Sequence, residues 1–289
     1  MKPVIAIHGG AGVRRSDKPG AAHRAVLARA LEAGYEMLKD GKSSLDAVCA
    51  AVLVLEDSPL FNAGRGSCYN ADGEIEMDAS IMDGEDLRAG AVAAVKRVRN
   101  PVLAARAVME KTRHVLLGGD GAERFAREQG LALEAPSYFA TEKRLSALRR
   151  NLKYHHGTVG AVALDRDGNL AAATSTGGYT GKLPGRIGDS PLIGAGNYAD
   201  NRACAVSGTG LGEAFIRAAV AYDVAARMRY RKEPLGKAAA KALANVARLG
   251  GDGGLIAVDR RGNVAMPFNS EGMYRAAIDR RGKLRVEIF

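Results

Sequence analysis

Hydroxyl residues and glycines are concentrated in three short segments in the second half of this chain. The segments are Gly157-Thr158-Val159-Gly160, Thr174-Ser175-Thr176-Gly177-Gly178 and Ser207-Gly208-Thr209-Gly210-Leu211-Gly212-Glu213. A structural core does not require this pattern, whereas threonine hydroxyls beside glycine backbone can supply a nucleophile and oxyanion-stabilising donors. The three segments are therefore the first candidates for chemistry.

Thr158 and Thr176 are expected to face each other across a β-hairpin. Thr158 starts one predicted strand and Thr176 ends the next, with the turn 165–169 between them. Residues opposite each other in such a ladder have Cβ atoms about 4.5–5.5 Å apart, so the two hydroxyls can share a hydrogen bond.

Thr158 can act as its own general base if it is the first residue of a chain. A free α-amine has a pKa of about 7.7–8.0, so at neutral pH it can take the proton of the hydroxyl on the same residue. This requires hydrolysis of the Gly157-Thr158 bond, by attack of the Thr158 hydroxyl on the Gly157 carbonyl and opening of the resulting ester by water. Gly157 tolerates the strained backbone that such an attack demands.

Two further groups of residues can complete a site. The Thr209 hydroxyl and the backbone N–H groups that lead into the helix predicted from Glu213, including that of Gly210, can stabilise an oxyanion. In the loop 184–191, Arg186 can hold a carboxylate and Asp189 an ammonium, which together recognise the backbone end of an amino acid. A surface ion pair is the alternative, but the threonine cluster favours substrate anchoring.

Other catalytic sets are missing from the sequence. The five histidines form no H-E-x-x-H pattern, and there is no G-x-S-x-G elbow and no phosphate-binding loop. The cluster His8-Gly9-Gly10-Ala11-Gly12 lacks the rest of a dinucleotide fingerprint, so its glycines are expected to allow close packing of backbone against backbone. The three cysteines have no metal-ligand spacing and are expected to be reduced, structural thiols.

Helical and strand patterns both occur along the chain. Apolar spacing and capping residues predict helices over 21–38, 44–55, 100–111, 121–129, 141–152, 213–229 and 235–249. Three near-identical turns, at 165–169, 259–263 and 279–283, each lie between apolar runs and predict β-hairpins, and 70–73 predicts a fourth. The sequence therefore predicts a layered α+β fold, with helices outside and largely antiparallel sheets within.

Composition narrows the class of protein. The chain has 289 residues, 47% of them hydrophobic, enough for one large domain or two small ones, and no apolar run long enough to span a membrane. We expect a soluble cytoplasmic protein. The net charge of +10 is scattered over helix faces and turns, and aromatic residues are few, so nucleic-acid binding is not expected.

The motifs of this chain resemble the plant-type L-asparaginase and isoaspartyl peptidase family of N-terminal nucleophile hydrolases. The matching stretches run in order along nearly the entire chain: 8–12 (HGGAG), 60–64 (LFNAG), 77–80 (MDAS), 157–165 (GTVGAVALD), 173–178 (ATSTGG), 184–191 (PGRIGDSP), 194–196 (GAG) and 269–274 (NSEGMY). The resemblance implies a four-layer αββα sandwich in a single domain.

The resemblance also implies a maturation step and an assembly. The chain would cleave itself into an α subunit, 1–157, and a β subunit, 158–289, with about 131–157 as a flexible linker. Two αβ units would then pair as a dimer. The implied activity is hydrolysis of β-aspartyl dipeptides and L-asparagine to release L-aspartate, with no cofactor for the chemistry.

Roles for single residues follow from the same resemblance. Thr158 resembles the nucleophile, Thr176 its hydroxyl partner, Arg186 and Asp189 the substrate anchors, Thr209 and Gly210 the oxyanion hole, Gly212 a further substrate contact and Asn62 a residue that holds a water near that hole. Main-chain carbonyls in the loop from Leu55 to Arg65 resemble a sodium site; the six residues are Leu55, Glu56, Ser58, Phe61, Ala63 and Arg65.

Two alternatives remain open at this point. A glycosylasparaginase-type amidase would use the same nucleophile, although its usual secretory context conflicts with the absence of a signal-peptide pattern. A non-catalytic basic binding protein on the same scaffold would bind nucleic acid in a salt-dependent way without hydrolysing amides.

Overall fold

The structure, a computed structural model, describes residues 1–17, 20–150 and 157–289. Its α-helices are α1 Ala21–Lys39, α2 Ser44–Glu56, α3 Pro101–Lys111, α4 Gly119–Glu128, α5 Pro136–Phe139, α6 Glu142–Arg149, α7 Gly212–Ala218, α8 Val220–Arg231 and α9 Leu235–Arg248. Its strands are β1 Val4–Ala11, β2 Met77–Asp83, β3 Ala89–Val95, β4 Leu116–Gly118, β5 Val159–Leu164, β6 Leu170–Thr176, β7 Asn197–Ala199, β8 Cys204–Gly210, β9 Gly253–Asp259, β10 Val264–Ala265, β11 Met273–Ile278 and β12 Leu284–Glu287.

The strands form two sheets packed face to face. The larger sheet has the order β12-β11-β1-β5-β6-β2-β3-β4, and the smaller has the order β10-β9-β8-β7. All described pairs of strands are antiparallel except β3 with β4. Helices α1 to α3 cover the outer face of the larger sheet, and α8 and α9 cover that of the smaller one. The predicted αββα sandwich is confirmed.

The central strands are apolar on both faces because both faces are buried. On β1, Ile5 and Ile7 join the core beneath the helices, whereas Val4 and Ala6 join the core between the two sheets. Side chains alternate between the faces of a strand, so an even-numbered residue of β1, β5 or β6 points into the space between the sheets. His8, Thr158, Thr174 and Thr176 have this parity.

The three repeated turns are β-hairpins, as predicted. In each turn the aspartate Oδ1 accepts N–H bonds from the residues two and four positions later. The glycine at the fourth position has a φ between +73° and +88°, which is the left-handed conformation that favours glycine. Asn70 makes the same bonds in the fourth predicted turn, which a bridge between Tyr69 and Ile75 closes.

Six of the seven predicted helices are confirmed, one of them over the shorter range Glu142–Arg149, and the seventh is corrected. The helix predicted over 213–229 is two helices, α7 and α8, separated at Ala219, which has a φ of +45°. The N–H groups of Ala221 and Tyr222 donate to the carbonyls of Ala195 and Gly194 at 3.0 and 2.9 Å. The first turn of α8 is therefore bonded to a distant loop, a tertiary contact that no local pattern announces.

The segment before Gly157 contains ordered elements. Within the predicted linker, α5 and α6 lie over 136–149, Phe139 is fully buried, and the Arg144 Nε donates to the Gly66 carbonyl at 2.7 Å. The helix predicted over 141–152 ends at Arg149, and residues 151–156 lie outside the described part of the chain.

The sequence also predicts that no segment spans a membrane and that the cysteines are structural thiols. No helix in the described residues is long and apolar enough to cross a bilayer. All three cysteines are buried, and none forms a disulfide within the described chain.

Candidate active site

The predicted threonine pair lies at the end of the β5–β6 hairpin that is opposite its turn. We call this end, which carries Thr158 and Thr176, the reactive end. Val159 pairs with Ser175 in the ladder, which brings the flanking residues Thr158 and Thr176 opposite each other. The Thr158 hydroxyl donates to the Thr176 hydroxyl at 3.1 Å, and both residues are buried. The hydrogen bond expected from the hairpin is therefore present.

The Gly157 carbonyl, which belongs to the candidate scissile bond, is held by two donors. The Asn62 Nδ2 donates to it at 2.7 Å, and the Thr176 hydroxyl donates at 2.9 Å. Asn62 is itself fixed, because its Nδ2 also donates to the Gly178 carbonyl and its Oδ1 accepts from the Cys68 N–H. Two donors on one carbonyl polarise it and oppose rotation of its peptide plane.

Gly10 packs directly against the scissile bond. A Cβ on Gly10 would lie 3.1 Å from the Gly157 Cα and 3.1 Å from the Thr158 nitrogen, and its φ is +110°. A larger residue would be strained by this positive φ and would crowd the backbone of Gly157 and Thr158. The glycines after His8 therefore allow close packing, as the sequence predicts, and Gly10 packs against the candidate scissile bond.

A buried polar network fixes the backbone of Thr158 from the other side. His8 is fully buried, and its Nδ1 contacts the Thr158 carbonyl oxygen at 2.9 Å, while its Nε2 contacts the Ser207 hydroxyl at 2.9 Å. Burial lowers the pKa of His8 to about 3, although the bond to Thr158 opposes this shift. The imidazole is therefore neutral, and because a carbonyl only accepts, Nδ1 carries the proton.

The neutral His8 sets the direction of the remaining bonds in this network. Its Nε2 must accept a proton from the Ser207 hydroxyl, so Ser207 in turn accepts from the Thr174 hydroxyl, 2.7 Å away. Sequence reasoning missed His8, Thr174 and Ser207 as positioning residues. His8 lies 150 residues before Thr158 in the sequence, so no local signal announces their contact.

The predicted oxyanion residues lie at the end of β8. The Thr209 hydroxyl oxygen accepts from the Ala11 N–H at 3.1 Å, next to the glycine that packs on the scissile bond. Because this oxygen accepts from Ala11, its own proton remains available for a further acceptor. A Cβ on Gly210 would lie 2.3 Å from the Asp252 carbonyl oxygen, so glycine is required there for β8 to approach β9.

The structure brings the three predicted substrate contacts together. A Cβ on Gly212 would lie 2.7 Å from an Arg186 guanidinium nitrogen and 2.9 Å from the Asp189 Oδ1, so this glycine leaves the space between the two charges open. Arg186 binds the Glu213 carboxylate with two bonds of 2.9 Å and stacks on Tyr179 at 4.6 Å. Arg186 is thus already in the two-pronged geometry that binds a carboxylate.

Asp189 is a buried carboxylate that can accept further hydrogen bonds. It is 5% exposed, and its Oδ2 has no hydrogen-bond partner within the described chain. Burial raises the pKa of Asp189 to about 7, and the Arg186 charge partly opposes that shift. A buried carboxylate oxygen without a partner costs free energy unless a ligand satisfies it, and an ammonium would do so.

A buried lysine beneath the Arg186 loop was not predicted. Lys182 is fully buried, and its Nζ donates to the Glu76 carbonyl at 2.8 Å. The Glu76 carboxylate accepts from the Gly185 N–H at 3.1 Å, and the Asp78 carboxylate accepts from the Ala94 N–H at 2.8 Å. Burial lowers the pKa of Lys182 and raises that of Asp78. These contacts anchor the loop on β2.

The loop predicted to bind sodium curls back on the end of α2. The Arg65 N–H donates to the Glu56 carbonyl at 2.7 Å. Gly64 and Gly66 have φ values of +49° and +106°, and a Cβ on either would lie within 2.5 to 2.7 Å of the carbonyl oxygen of Glu56 or Phe61. The two glycines therefore leave a cradle of carbonyl oxygens. Among the described residues, no three histidine, cysteine or acidic side chains gather in a metal-binding cluster.

The Glu56 side chain has a separate structural role that the sequence did not reveal. Its Oε1 accepts from the Val102 N–H at 3.0 Å, at the first turn of α3. Burial raises the pKa of Glu56 to about 8. A carboxyl group at this position satisfies one of the N–H groups that a helix start leaves unpaired.

The four-layer sandwich, with a buried threonine at the start of a central strand, is the fold of the N-terminal nucleophile hydrolases. The chain belongs to the asparaginase family, because the family model described as "Asparaginase" matches residues 1–288.

Curated relatives match nearly the whole chain. An isoaspartyl peptidase of Salmonella typhimurium is 53% identical over 296 residues, covering 95% of this chain and 95% of that protein. An isoaspartyl peptidase of Escherichia coli is 52% identical, covering 95% and 92%. An isoaspartyl peptidase/L-asparaginase of Mus musculus is 46% identical, covering 99% and 90%.

Proposed function

We propose that this protein is an isoaspartyl peptidase with L-asparaginase activity, which releases L-aspartate from β-aspartyl dipeptides and from asparagine. The observation that carries the proposal is the Gly157 carbonyl, held by Asn62 and Thr176 beside the Thr158 hydroxyl. The names of the relatives support the same activity rather than a glycosylasparaginase or a non-catalytic binding protein.

Self-cleavage would activate the protein. The Thr158 hydroxyl oxygen attacks the Gly157 carbonyl carbon, and the N–H of Asn62 and the O–H of Thr176 stabilise the negative charge that develops on the carbonyl oxygen. The C–N bond then breaks, and the nitrogen takes up the proton lost by the hydroxyl. Water hydrolyses the ester, which leaves a carboxylate on Gly157 and a free amine on Thr158.

Turnover would use the free amine of Thr158 as the general base. Arg186 holds the α-carboxylate of the substrate and Asp189 its α-ammonium, while the Thr158 hydroxyl attacks the side-chain carbonyl. The Thr209 hydroxyl and the Gly210 N–H would stabilise the oxyanion. Ammonia or an amino acid leaves with a proton from the Thr158 amine, and water then releases aspartate from the acyl-enzyme.

We also propose that the loop from Leu55 to Arg65 holds a sodium ion through the six main-chain carbonyls named from the sequence. Neutral oxygen ligands suit a hard monovalent cation, and the carbonyl cradle that Gly64 and Gly66 leave open supports the assignment. Bound sodium would fix the loop that carries Asn62. A higher thermal midpoint in sodium chloride than in tetramethylammonium chloride is expected, and equal midpoints would argue against the site.

We propose that two αβ units form a dimer in the cytoplasm, and three buried cysteines that form no disulfide within the described chain agree with a reducing compartment. Light scattering of the matured protein should give twice the mass of one αβ unit. A mass of one unit would refute the dimer.

Intact-mass analysis combined with an aspartate-release assay tests the proposed function. We expect two fragments, 1–157 and 158–289, and hydrolysis of asparagine and of β-aspartyl-leucine by the same preparation. Turnover that is faster on glycosylated than on unmodified asparagine would favour the glycosylasparaginase alternative. An intact polypeptide that nevertheless consumes asparagine would overturn the proposed role of Thr158.

A further inference from the structure

A cavity of about 380 Å³ begins at the scissile bond and extends away from the substrate anchors. It lies between the end of β1, Phe61 and α6, and both Gly157 and Asn62 line it. Arg186 and Asp189 do not line it. We call this cavity the β1–α6 pocket. Its volume is in the range of cavities that hold small ligands.

The direction of the chemistry places this pocket on the side of the leaving group. The Thr158 amine must protonate the leaving nitrogen, so that nitrogen has to lie within hydrogen-bond reach of the Thr158 nitrogen. In the uncut chain the Thr158 nitrogen is bonded to Gly157, which lines the pocket. The Gly157 side is therefore where the leaving residue of a dipeptide would lie, opposite the aspartyl half.

The wall of the β1–α6 pocket is aromatic. His23 and Tyr274 are stacked with centroids 5.1 Å apart, and Phe61 meets both rings edge-on, at 5.9 and 5.6 Å. Leu60 and Val13 extend this apolar surface. Such a wall suits an apolar side chain and offers little to the ammonia that leaves from asparagine.

Charged residues line the rim of the same pocket. Lys143, Arg144 and Arg150 supply positive charge, and Asp17 and Glu142 supply negative charge. The Arg144 guanidinium is committed to the Gly66 carbonyl, so Lys143 and Arg150 are the cations suited to a ligand. The leaving residue of a β-aspartyl dipeptide carries an α-carboxylate, which has the complementary charge.

We propose that the β1–α6 pocket binds the leaving residue of β-aspartyl dipeptides, with an apolar side chain against the aromatic wall and its α-carboxylate towards Lys143 and Arg150. The proposal rests on the proposed function, because it presupposes that the aspartyl half is held at Arg186 and Asp189. It predicts a preference for dipeptides with a large apolar second residue over β-aspartyl-glycine.

Two variants test the pocket in matured protein whose complete cleavage is verified by mass. Tyr274→Ala should lower kcat/KM for β-aspartyl-leucine about tenfold, mainly through KM, because a stacked apolar contact of that size is lost. Lys143→Gln should lower it several-fold. Both variants should leave kcat/KM for asparagine within about twofold of the wild-type value, because asparagine has no leaving residue.

Matched controls are available on the opposite face of the molecule. Tyr230 on α8 is 65% exposed and Lys237 on α9 is exposed, so Tyr230→Ala and Lys237→Gln should leave both activities unchanged. If Tyr274→Ala fails to fold, Lys143→Gln and Arg150→Gln carry the test, because both side chains lie at the surface.

The possible outcomes separate this inference from the proposed function. Equal losses on asparagine and β-aspartyl-leucine, or no loss on either, would overturn the pocket assignment while leaving the enzyme assignment intact. Wild-type protein that is fully cut but hydrolyses neither substrate would instead refute the proposed function.

Discussion

The two ends of the β5–β6 hairpin are built from opposite kinds of contact. At the turn, the Asp165 Oδ1 accepts from the N–H groups of Asp167 and Asn169, two and four residues away. At the reactive end, the Gly157 carbonyl and the Thr158 backbone are held by Asn62 and His8, which lie far away in the sequence. One end is determined by local sequence, and the other depends on the finished fold.

This difference separates structural from functional polar residues. The turn pattern recurs at Asp259 and Asp279 because it solves a problem of chain reversal that every hairpin shares. The reactive end occurs once in the described chain, and it buries hydroxyls, a neutral imidazole and an amide whose hydrogen bonds converge on one peptide bond. Three variants and one pH series test this contrast.

Thr158→Ala should have the largest effect, because it removes the hydroxyl that attacks in both reactions. We expect no self-cleavage and a loss of asparagine hydrolysis of more than about 10⁴-fold. Intact mass and aspartate release measure the two losses. Thr158→Ser is the matched control, since it keeps the hydroxyl and should retain part of both activities. Hydrolysis of asparagine by Thr158→Ala at the wild-type rate would contradict the proposal.

Asn62→Ala should slow self-cleavage by about a hundredfold, because one of the two donors to the Gly157 carbonyl is lost. A time course of fragment formation by mass spectrometry measures the rate. Asn245→Ala on α9 is a control that should leave the rate unchanged, because its amide bonds to Asp223 on α8. Cleavage of Asn62→Ala at the wild-type rate would show that Thr176 alone suffices.

The pH dependence of turnover should distinguish the two reactions at the same end of the hairpin. Burial raises the pKa of Asp189 to about 7, so its ionised fraction falls about tenfold between pH 8 and pH 6. Because the ionised form binds the substrate ammonium, kcat/KM for asparagine should fall at least as much, and protonation of the Thr158 amine acts in the same direction. Self-cleavage uses neither group and should not share this decline. A flat kcat/KM profile between pH 6 and pH 8 would contradict the role of Asp189.

Asp165→Ala should have the smallest effect on activity, because it changes only the turn end. The free energy of unfolding should fall by about 2 kcal/mol, since the N–H groups of Asp167, Asn169 and Ser44 lose their acceptor. Asp279→Ala removes the corresponding two local bonds and should cost about 1 kcal/mol. Urea titration measures both losses. A drop of more than about twofold in kcat/KM for Asp165→Ala would show that the two ends are coupled.

Local chemistry explains which features the sequence could predict. Turn residues predicted the three hairpins, and capping residues and apolar spacing predicted the helices. For example, α2 begins with the capping box of Ser43 and Asp46. The pairing of Thr158 with Thr176 followed from one hairpin and strict alternation of side chains. The roles of Asn62 and Gly212 came only from the family resemblance, because their partners are distant in sequence.

Tertiary contacts account for what the sequence could not predict. The break between α7 and α8 depends on carbonyls of a distant loop, and the buried Lys182 depends on the carbonyl of Glu76, 106 residues earlier in the sequence. The neutral state of His8 depends on its complete burial. None of these contacts is marked by a periodic or local sequence pattern, so the sequence alone did not predict them.

The side-chain alternation of β5 limits how this chain can change in evolution. Thr158 points into the space between the sheets because it lies four and six positions before Val162 and Leu164, which share that face. A single inserted residue in the strand would turn the hydroxyl towards the helices, far from Thr209 and Asp189. We therefore expect insertions and deletions in the loops and the hairpin turn, and not within β5 or β6. Substitution of one apolar side chain by another is compatible with this limit, because it leaves the lengths of the two strands unchanged.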